Sequence, residues 1–531
     1  MSPILEFLKP GRAAGLVPSS KALDCARRIS SLTGIEVYPR SVASADATIF
    51  ALGRTTDSKI LLFLRREQDL GDFQGRSDRV PAEGGEIVIA RCELSQRNAA
   101  ALRRKLQFLT PRTIGLAKSA GCGDRLGLAT PGHIRAARAV AANSGSGMEL
   151  ILAQQSMREN ARTGRNPQGV VDDATWGALQ EGWDQGYGAD ADHLKTLADV
   201  DLCVEAGYTF YTIDPGDHVD DLADQAEKAE LLEKANQVPW SEMDTNLDDL
   251  VTRLSGKPIE LADRELSISE EEVTRAAAKY GRALAHTATM YRHLVSRSAD
   301  ARLDFELEMS VDETATMTTT AEHVYIASEL RRLNVEWVSL APRYFGRFEK
   351  GVDFQGEASL TLSESLQRFR ESFAEHVAVA NTFGPYKLSL HSGSDKFSVY
   401  PVVSELAGDL VHLKTAGTSY LEALRTVAVV EPAFFREIAR CAQDHYPEDR
   451  ASYHVSAELD QMLDPDSLSD GELSQLLEDF HAREILHVTF GSVVTDPDLH
   501  RRLVETLQSN EEGHYGALER HFVKHMKPFC V

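Results

Sequence analysis

The residues of this chain best suited to chemistry lie where short apolar runs break off into polar ones. Tyr386-Lys-Leu-Ser-Leu390 reads as a buried strand, and it stops at His391-Ser-Gly-Ser-Asp395-Lys396. A rigid strand that delivers polar groups to one place is a common way for a scaffold to carry a site. The Ser-Gly-Ser-Asp stretch is equally good composition for an ordinary turn, a reading kept for Ser392 and Gly393. Similar endings recur along the chain. Ile213 is followed by Asp214-Pro-Gly-Asp217-His218, where adjacent Asp and His suit a base and a metal ligand. The string His412-Leu-Lys414-Thr-Ala-Gly417-Thr418-Ser419 puts His412 and Lys414 on one face. It then opens a helix whose free N–H groups and hydroxyls offer a seat for a carboxylate or phosphate. Glu306 and Glu308 share a strand face, where a charge must be paired or bound to something, and Glu308 lies nearer the strand tip, with Asp312 and Glu313 beyond it.

Two or three histidines with carboxylates at one face suit a divalent cation held by nitrogen and oxygen, such as Zn, Mn, Co, Ni or Fe. His218 and His391 form the best pair. The third ligand is His412, Glu308 or Asp217, with His412 preferred. Gly121 and Gly123 let backbone approach a ligand, and Arg125 supplies an anion fork. This stretch is not G-x-G-x-x-G, because Leu126 stands at the third glycine position, so a bound NAD is disfavoured. Gln154-Gln155-Ser156, followed by Arg158, Arg162 and Arg165, suits hydroxyl and carboxylate recognition. No phosphate-binding P-loop, nucleophile elbow or S-x-x-K motif occurs. His323 and His487 read as core histidines.

Eight apolar runs would position these groups: Thr113–Ala117, Glu149–Ala153, Thr209–Ile213, Leu303–Leu307, Trp337–Leu340, Lys387–Leu390, Leu410–Leu413 and Tyr453–Ser456. Their alternation with helix-like stretches predicts an α/β fold, a (β/α)8 TIM-like barrel with its site at the carboxyl ends of the strands. Residues 1–110 differ in texture and read as a small α+β accessory domain for packing or oligomerisation, which allows a homo-oligomer. Residues 111–531 form the catalytic domain, with a helical insertion at about 220–300, where Ser269-x-x-Glu272 reads as a capping box. The Leu499–Lys527 tail reads as a helix with a solvated face.

Bulk properties narrow the partners. A 531-residue chain with 42% hydrophobic and 26% charged residues can bury a large core. A net charge of −24 argues against nucleic acid and anionic membrane. The six cysteines are scattered with no C-x-x-C, which fits reduced thiols. With no long apolar run and no apolar core at the N-terminus, a cytoplasmic protein is expected.

Several strings are long enough to be distinctive. They are Gly123-Asp-Arg-Leu-Gly-Leu-Ala-Thr-Pro-Gly132, Gln154-Gln-Ser, Thr163-Gly-Arg, Asp172-Asp-Ala-Thr-Trp176, Asp217-His-Val-Asp220, Val338-Ser-Leu-Ala-Pro-Arg343, His391-Ser-Gly-Ser-Asp-Lys396, Lys414-Thr-Ala-Gly-Thr-Ser419 and His487-Val-Thr-Phe-Gly-Ser492. Together they resemble the tagaturonate/fructuronate epimerase family of bacterial hexuronate breakdown, and they leave residues 1–110 uncovered. The resemblance implies reversible interconversion of D-tagaturonate and D-fructuronate with a divalent metal and without nicotinamide. These substrates differ at a carbon whose C–H is not acidified by the ketone, so simple enolisation cannot invert it. Retro-aldol cleavage, rotation and re-addition can. That route needs a Lewis acid, a base for the hydroxyl proton and an anion seat for the carboxylate-bearing fragment. The implied assignment is His218, His391 and His412 on the metal. Asp217 and Glu308 act as base and acid in either order, and Arg125, Gln155, Lys396, Gly417 and Thr418 hold the substrate. A class II type ketose aldolase would use the same metal for half the reaction, and a non-catalytic sugar-acid-binding protein would keep only the barrel.

Overall fold

The computed structural model describes residues 4–530 except 57, 83–84, 262–263 and 392–394, together with all their side chains but that of Ser452. The turn expected at Ser392 and Gly393 therefore lies outside the described residues. The centre of the fold is a closed barrel of eight strands. In chain order they are β1 Ser119–Gly121, β2 Glu149–Ser156, β3 Gly188–Leu194, β4 Phe210–Ile213, β5 Glu306–Ser310, β6 Ser339–Ala341, β7 Lys387–Leu390 and β8 Val411–Lys414. Each pairs in parallel with the next, and β8 closes on β1 through His412 opposite Ser119 and Lys414 opposite Gly121. Helices follow most strands, such as Thr130–Ser144 after β1 and Thr418–Val430 after β8. The (β/α)8 expectation holds.

The set of strands differs from the expected one in three places. Thr113–Ala117 is not a strand. It crosses the amino-terminal mouth of the barrel, where the Gly115 N–H donates to the Glu306 carboxylate and Ile114 packs on Ile151 and Phe210. Tyr453–Ser456 is not a strand either, because its amides bond to side chains: Ser456 N–H donates to Glu349 Oε2 and Glu484 Oε2, each at 3.1 Å. The strands missed are β1, just past the expected run at Ser119–Gly121, and β3. The β3 sequence Gly-Ala-Asp-Ala-Asp-His-Leu alternates small and acidic residues, a pattern that reads as a turn in water and as a strand only when the acids point into a polar barrel.

Barrel interiors are usually filled by bulky branched side chains. Here Ser119, Asp190, Asp192, Thr212, Glu308, Lys387, His412 and Lys414 are all buried, joined to one another by hydrogen bonds and ion pairs. A floor of Ile114, Ile151 and Phe210 seals the end opposite the site.

Residues outside the barrel brace it. An antiparallel sheet from Gly15 to Cys92 docks through Lys59, whose Nζ donates to Gln180 at 2.7 Å and Tyr515 at 2.9 Å and pairs with Glu511 at 2.8 Å. Between β4 and β5 lie helices Lys228–Asn236, Leu247–Leu254 and Glu270–Ala301. Ser269 and Glu272 make both bonds of the expected capping box. The C-terminal tail is two helices, Pro497–Ser509 and Glu511–Met526, and its His514, His521 and His525 are buried rather than solvated. Asp395 Oδ1 accounts for two of them, receiving His521 Nε2 at 2.8 Å and His525 Nε2 at 3.1 Å. Among the described residues, no helix is long and apolar enough to cross a membrane.

Candidate active site

The end of β3 sets the site. Period-two alternation sends Asp190 and Asp192 inward, and Lys414 from β8 reaches between them. Its Nζ lies 3.0 Å from Asp190, 2.7 Å from Asp192 and 2.9 Å from Glu308. Burial alone would strip the lysine of its proton. Three carboxylates overcome that and hold its pKa well above the usual value. Burial pushes in the same neutralising direction on Glu308, yet Lys414 and His391 keep it well below the ordinary carboxylate range. Asp190 is where burial prevails. Its pKa is pushed up to about 7 against the pull of Lys414.

Above this layer, donor atoms of His193, Asp312 and His391 all lie within 4.8 Å of one another. Each imidazole is fixed by a carboxylate. His193 Nδ1 sits 3.2 Å from Asp214 Oδ2, and His391 Nε2 sits 2.7 Å from Glu308 Oε1. Engaging one ring nitrogen with a carboxylate is the usual support for a metal-bound histidine. His193 Nε2 lies 3.8 Å from Asp192 Oδ1, and His391 Nδ1 lies 3.3 Å from Ser310 Oγ. His391 Nδ1 is 3.2 Å from Asp312 Oδ1. Two nitrogens and an oxygen, all nearly removed from solvent, fit a divalent cation.

These groups open into a cavity also lined by Arg125, Ser156, Arg158, Glu159, Lys350, Ala416, Tyr453 and His487. Arg125 is buried, held by Glu159 at 2.8 Å, and stacked 3.5 Å over the Phe490 ring. Gly417 adopts φ +92°, and a Cβ there would stand 2.1 Å from His487 Nε2 and 2.8 Å from Arg125 Nη2. Only glycine lets both side chains approach the start of the Thr418–Val430 helix.

The residues expected from sequence divide. Glu308, His391 and Arg125 come together in or beside the cavity, with Gly417 beneath Arg125 and His487. Asp217 and His218 do not join them. Both are exposed on a turn past β4, Asp217 paired with Lys195 at 2.8 Å and His218 stacked on His286 with ring centres 4.1 Å apart. Asp214, three residues earlier, is the one that reaches the site. His412 faces the barrel interior one strand repeat below Lys414, its Nδ1 bonded to Ser119 Oγ at 2.9 Å, and is not in the donor group. Gln155 points away from the interior. Its neighbour Gln154 does the inward work, donating to Asp192 at 3.0 Å. Lys396 is buried and donates to the carbonyls of Glu349 at 2.7 Å and Val352 at 2.5 Å, so it holds a loop instead of lining the cavity. Thr418 is fully buried at its helix start. His323 is a core residue, bonded to His376 and Tyr386 at 2.9 Å each. His487 lines the cavity from helix Phe480–Val488, contrary to its reading as a satisfied core histidine, and among the described residues its ring nitrogens find no partner beyond the Ala416 backbone.

Sequence reasoning missed Asp190, Asp192, His193 and Lys350. For the first three the signal was present: two acids and a histidine packed into a run whose other members are small or apolar, just before a capped helix start at Thr196.

Comparison with known proteins agrees with the earlier resemblance. Residues 38–529 match the family described as tagaturonate epimerase. A relative from Thermotoga maritima named tagaturonate/fructuronate epimerase is 41% identical over 493 residues, covering 93% of this chain and 96% of that one. The crystal structure of the fructuronate-tagaturonate epimerase from Cohnella laeviribosi with one glycerol superposes with a TM-score of 0.84 at 33% identity, covering 95% of this chain and 98% of that one. Its native crystal form gives a TM-score of 0.83 at the same identity and coverage. The chain belongs to the tagaturonate epimerase family.

Proposed function

We propose that this chain interconverts D-tagaturonate and D-fructuronate by breaking and remaking one carbon–carbon bond. The observation that carries the reading is one cavity at the carboxyl end of the barrel that combines three elements. These are a buried His193–Asp312–His391 donor group, a lysine shared by three carboxylates, and a wall of cations. The epimerised carbon lies beyond the carbon next to the ketone, so its C–H has no carbonyl to acidify it. Cleaving the bond between those two carbons avoids that difficulty.

His193, Asp312 and His391 would hold a divalent cation, which when bound supplies Lewis-acid stabilisation of charge developing on the ketone oxygen. The remaining work falls to the chain's own side chains. Cleavage removes the proton from the hydroxyl on the epimerising carbon, and re-addition returns it. Asp192 and Glu308, linked through Lys414 Nζ at 2.7 Å and 2.9 Å, are the groups positioned to take and return it. Asp192 takes the place that sequence reasoning gave to Asp217. All six cysteines are free, and all but Cys441 are buried, which supports a reducing, cytosolic setting.

Turnover in D2O tests the route. Cleavage and re-addition leave the original hydrogen on the epimerised carbon, so proton NMR should retain that signal in the product. Deuterium at that carbon would mean direct C–H deprotonation and would overturn the route.

A further inference from the structure

The cavity is lined by two unlike sets of groups. One is His193 and His391 of the donor group with the Asp192 carboxylate, backed by the buried Glu308. The other is Arg125, Arg158, Lys350 and the His487 ring. The cations are not equally engaged. Lys414 touches three carboxylates, and Arg125 pairs with Glu159 and donates to the His487 carbonyl at 3.1 Å. Arg158 donates to Glu313 at 3.1 Å and lies over the Tyr453 ring. Among the described residues Lys350 has only Glu313 at 3.6 Å, beyond hydrogen-bond reach, and shares it with Arg158. Of the cations described in the cavity it is the least compensated.

Lys350 is nonetheless firmly presented. Its loop has no helix or strand of its own, and buried side chains clamp its backbone on both sides. Lys396 binds the carbonyls of Glu349 and Val352, and Arg483 Nε donates to Gly351 O at 2.7 Å. Arg483 is in turn tied to Asp395. The Glu349 carboxylate accepts from Ser456 Oγ at 2.6 Å. Gly351 takes φ +85°, which favours glycine, and a Cβ there would stand a tight 3.0 Å from His487 Cβ. Lys350 and His487 are therefore neighbours by construction. His487 is 1% exposed, and among the described residues its ring nitrogens find no partner beyond the Ala416 backbone. A buried imidazole with a ring nitrogen still unengaged at a cavity wall can take a ligand atom. Burial, with Arg125 and Lys350 nearby, keeps it neutral, able to donate from one nitrogen and accept at the other.

Resting on the epimerase reading, we propose that Lys350 receives the substrate carboxylate with His487 beside it. The sugar acid then lies with its ketone half at His193, Asp312 and His391 and its carboxylate on the cationic wall. The carboxylate-bearing fragment released by cleavage stays tethered at Lys350 while its aldehyde turns over. Rigid presentation suits this role, because little ordering remains to be done when the anion arrives.

The test uses metal-loaded protein and three measurements: KM for D-tagaturonate, and dissociation constants by calorimetry for D-mannonate and for D-mannitol, its neutral counterpart. Lys350→Met should raise KM and the mannonate constant about tenfold or more while leaving the mannitol constant and the metal content unchanged. Lys350→Arg should restore most of the loss. Equal weakening of mannonate and mannitol, or no change in either, would overturn the proposal. Failure of the wild-type protein to epimerise tagaturonate would instead count against the epimerase reading, because the mannonate and mannitol dissociation constants are measured without turnover.

Discussion

His391 Nε2 lies 2.7 Å from Glu308 Oε1, and that same oxygen lies 2.9 Å from Lys414 Nζ. One carboxylate thus orients a histidine of the donor group and anchors the buried lysine. The two layers of the site are coupled through it.

The donor group makes the first prediction. His193→Ala should bind substoichiometric metal by elemental analysis and lose activity, whereas His218→Ala should keep both. His218 is exposed and stacked on His286, away from the group. A His218→Ala protein without metal would restore the ligand set expected from sequence.

Lys414→Met should leave Asp190, Asp192 and Glu308 buried without their cation. Breaking such an arrangement from one side costs about 3–5 kcal/mol. Urea unfolding should show that loss at neutral pH and a partial recovery at lower pH, where the stranded carboxylates take protons. An unchanged midpoint would contradict the charge balance described for the barrel interior.

Gly417→Ala tests the close approach at the start of the Thr418–Val430 helix. A methyl there meets His487 Nε2 and Arg125 Nη2, and φ +92° strains any side chain. About 1–3 kcal/mol of strain is expected, together with a fall in kcat/KM because two cavity side chains must move. Wild-type kinetics would mean that neither residue needs its present position.

A pH prediction comes from the loop that carries Lys350. Burial, with Glu349 beside it, pushes the Glu484 carboxyl up to about 8. The folded chain therefore holds a proton that the unfolded chain gives up above the ordinary carboxylate value of 4.5. The sign follows from linkage: between those values the unfolded state binds fewer protons, so this group costs stability as pH rises. Glu484→Gln should match wild type at low pH and melt at higher temperature by pH 8, the gap opening between. A gap that is constant with pH would show that Glu484 is not the titrating group.

Much of this was legible in the sequence, for physical reasons that differ by element. β7 was readable to the residue because its apolar run ends abruptly at His391, and β2 and β4 because their apolar stretches have no competing explanation. β3 was hidden because a barrel strand whose inward positions are Asp190 and Asp192 looks like a loop until Lys414 is placed opposite them. Asp217-His218 misled for the converse reason. The pair has the right residue types at a strand tip, but β4 ends at Ile213 and a proline turn carries both out to solvent while Asp214 stays in. Lys396 is conspicuous in sequence for its place after His391, yet it binds the Glu349 and Val352 carbonyls on either side of Lys350, in a loop with no signal of its own.

The most direct test of the account is to incubate the metal-loaded protein with D-tagaturonate and follow the mixture by NMR. The account predicts that D-fructuronate appears and approaches equilibrium from either side, without free three-carbon fragments building up. Accumulation of those fragments would mark an aldolase, and unchanged tagaturonate would contradict the epimerase assignment altogether.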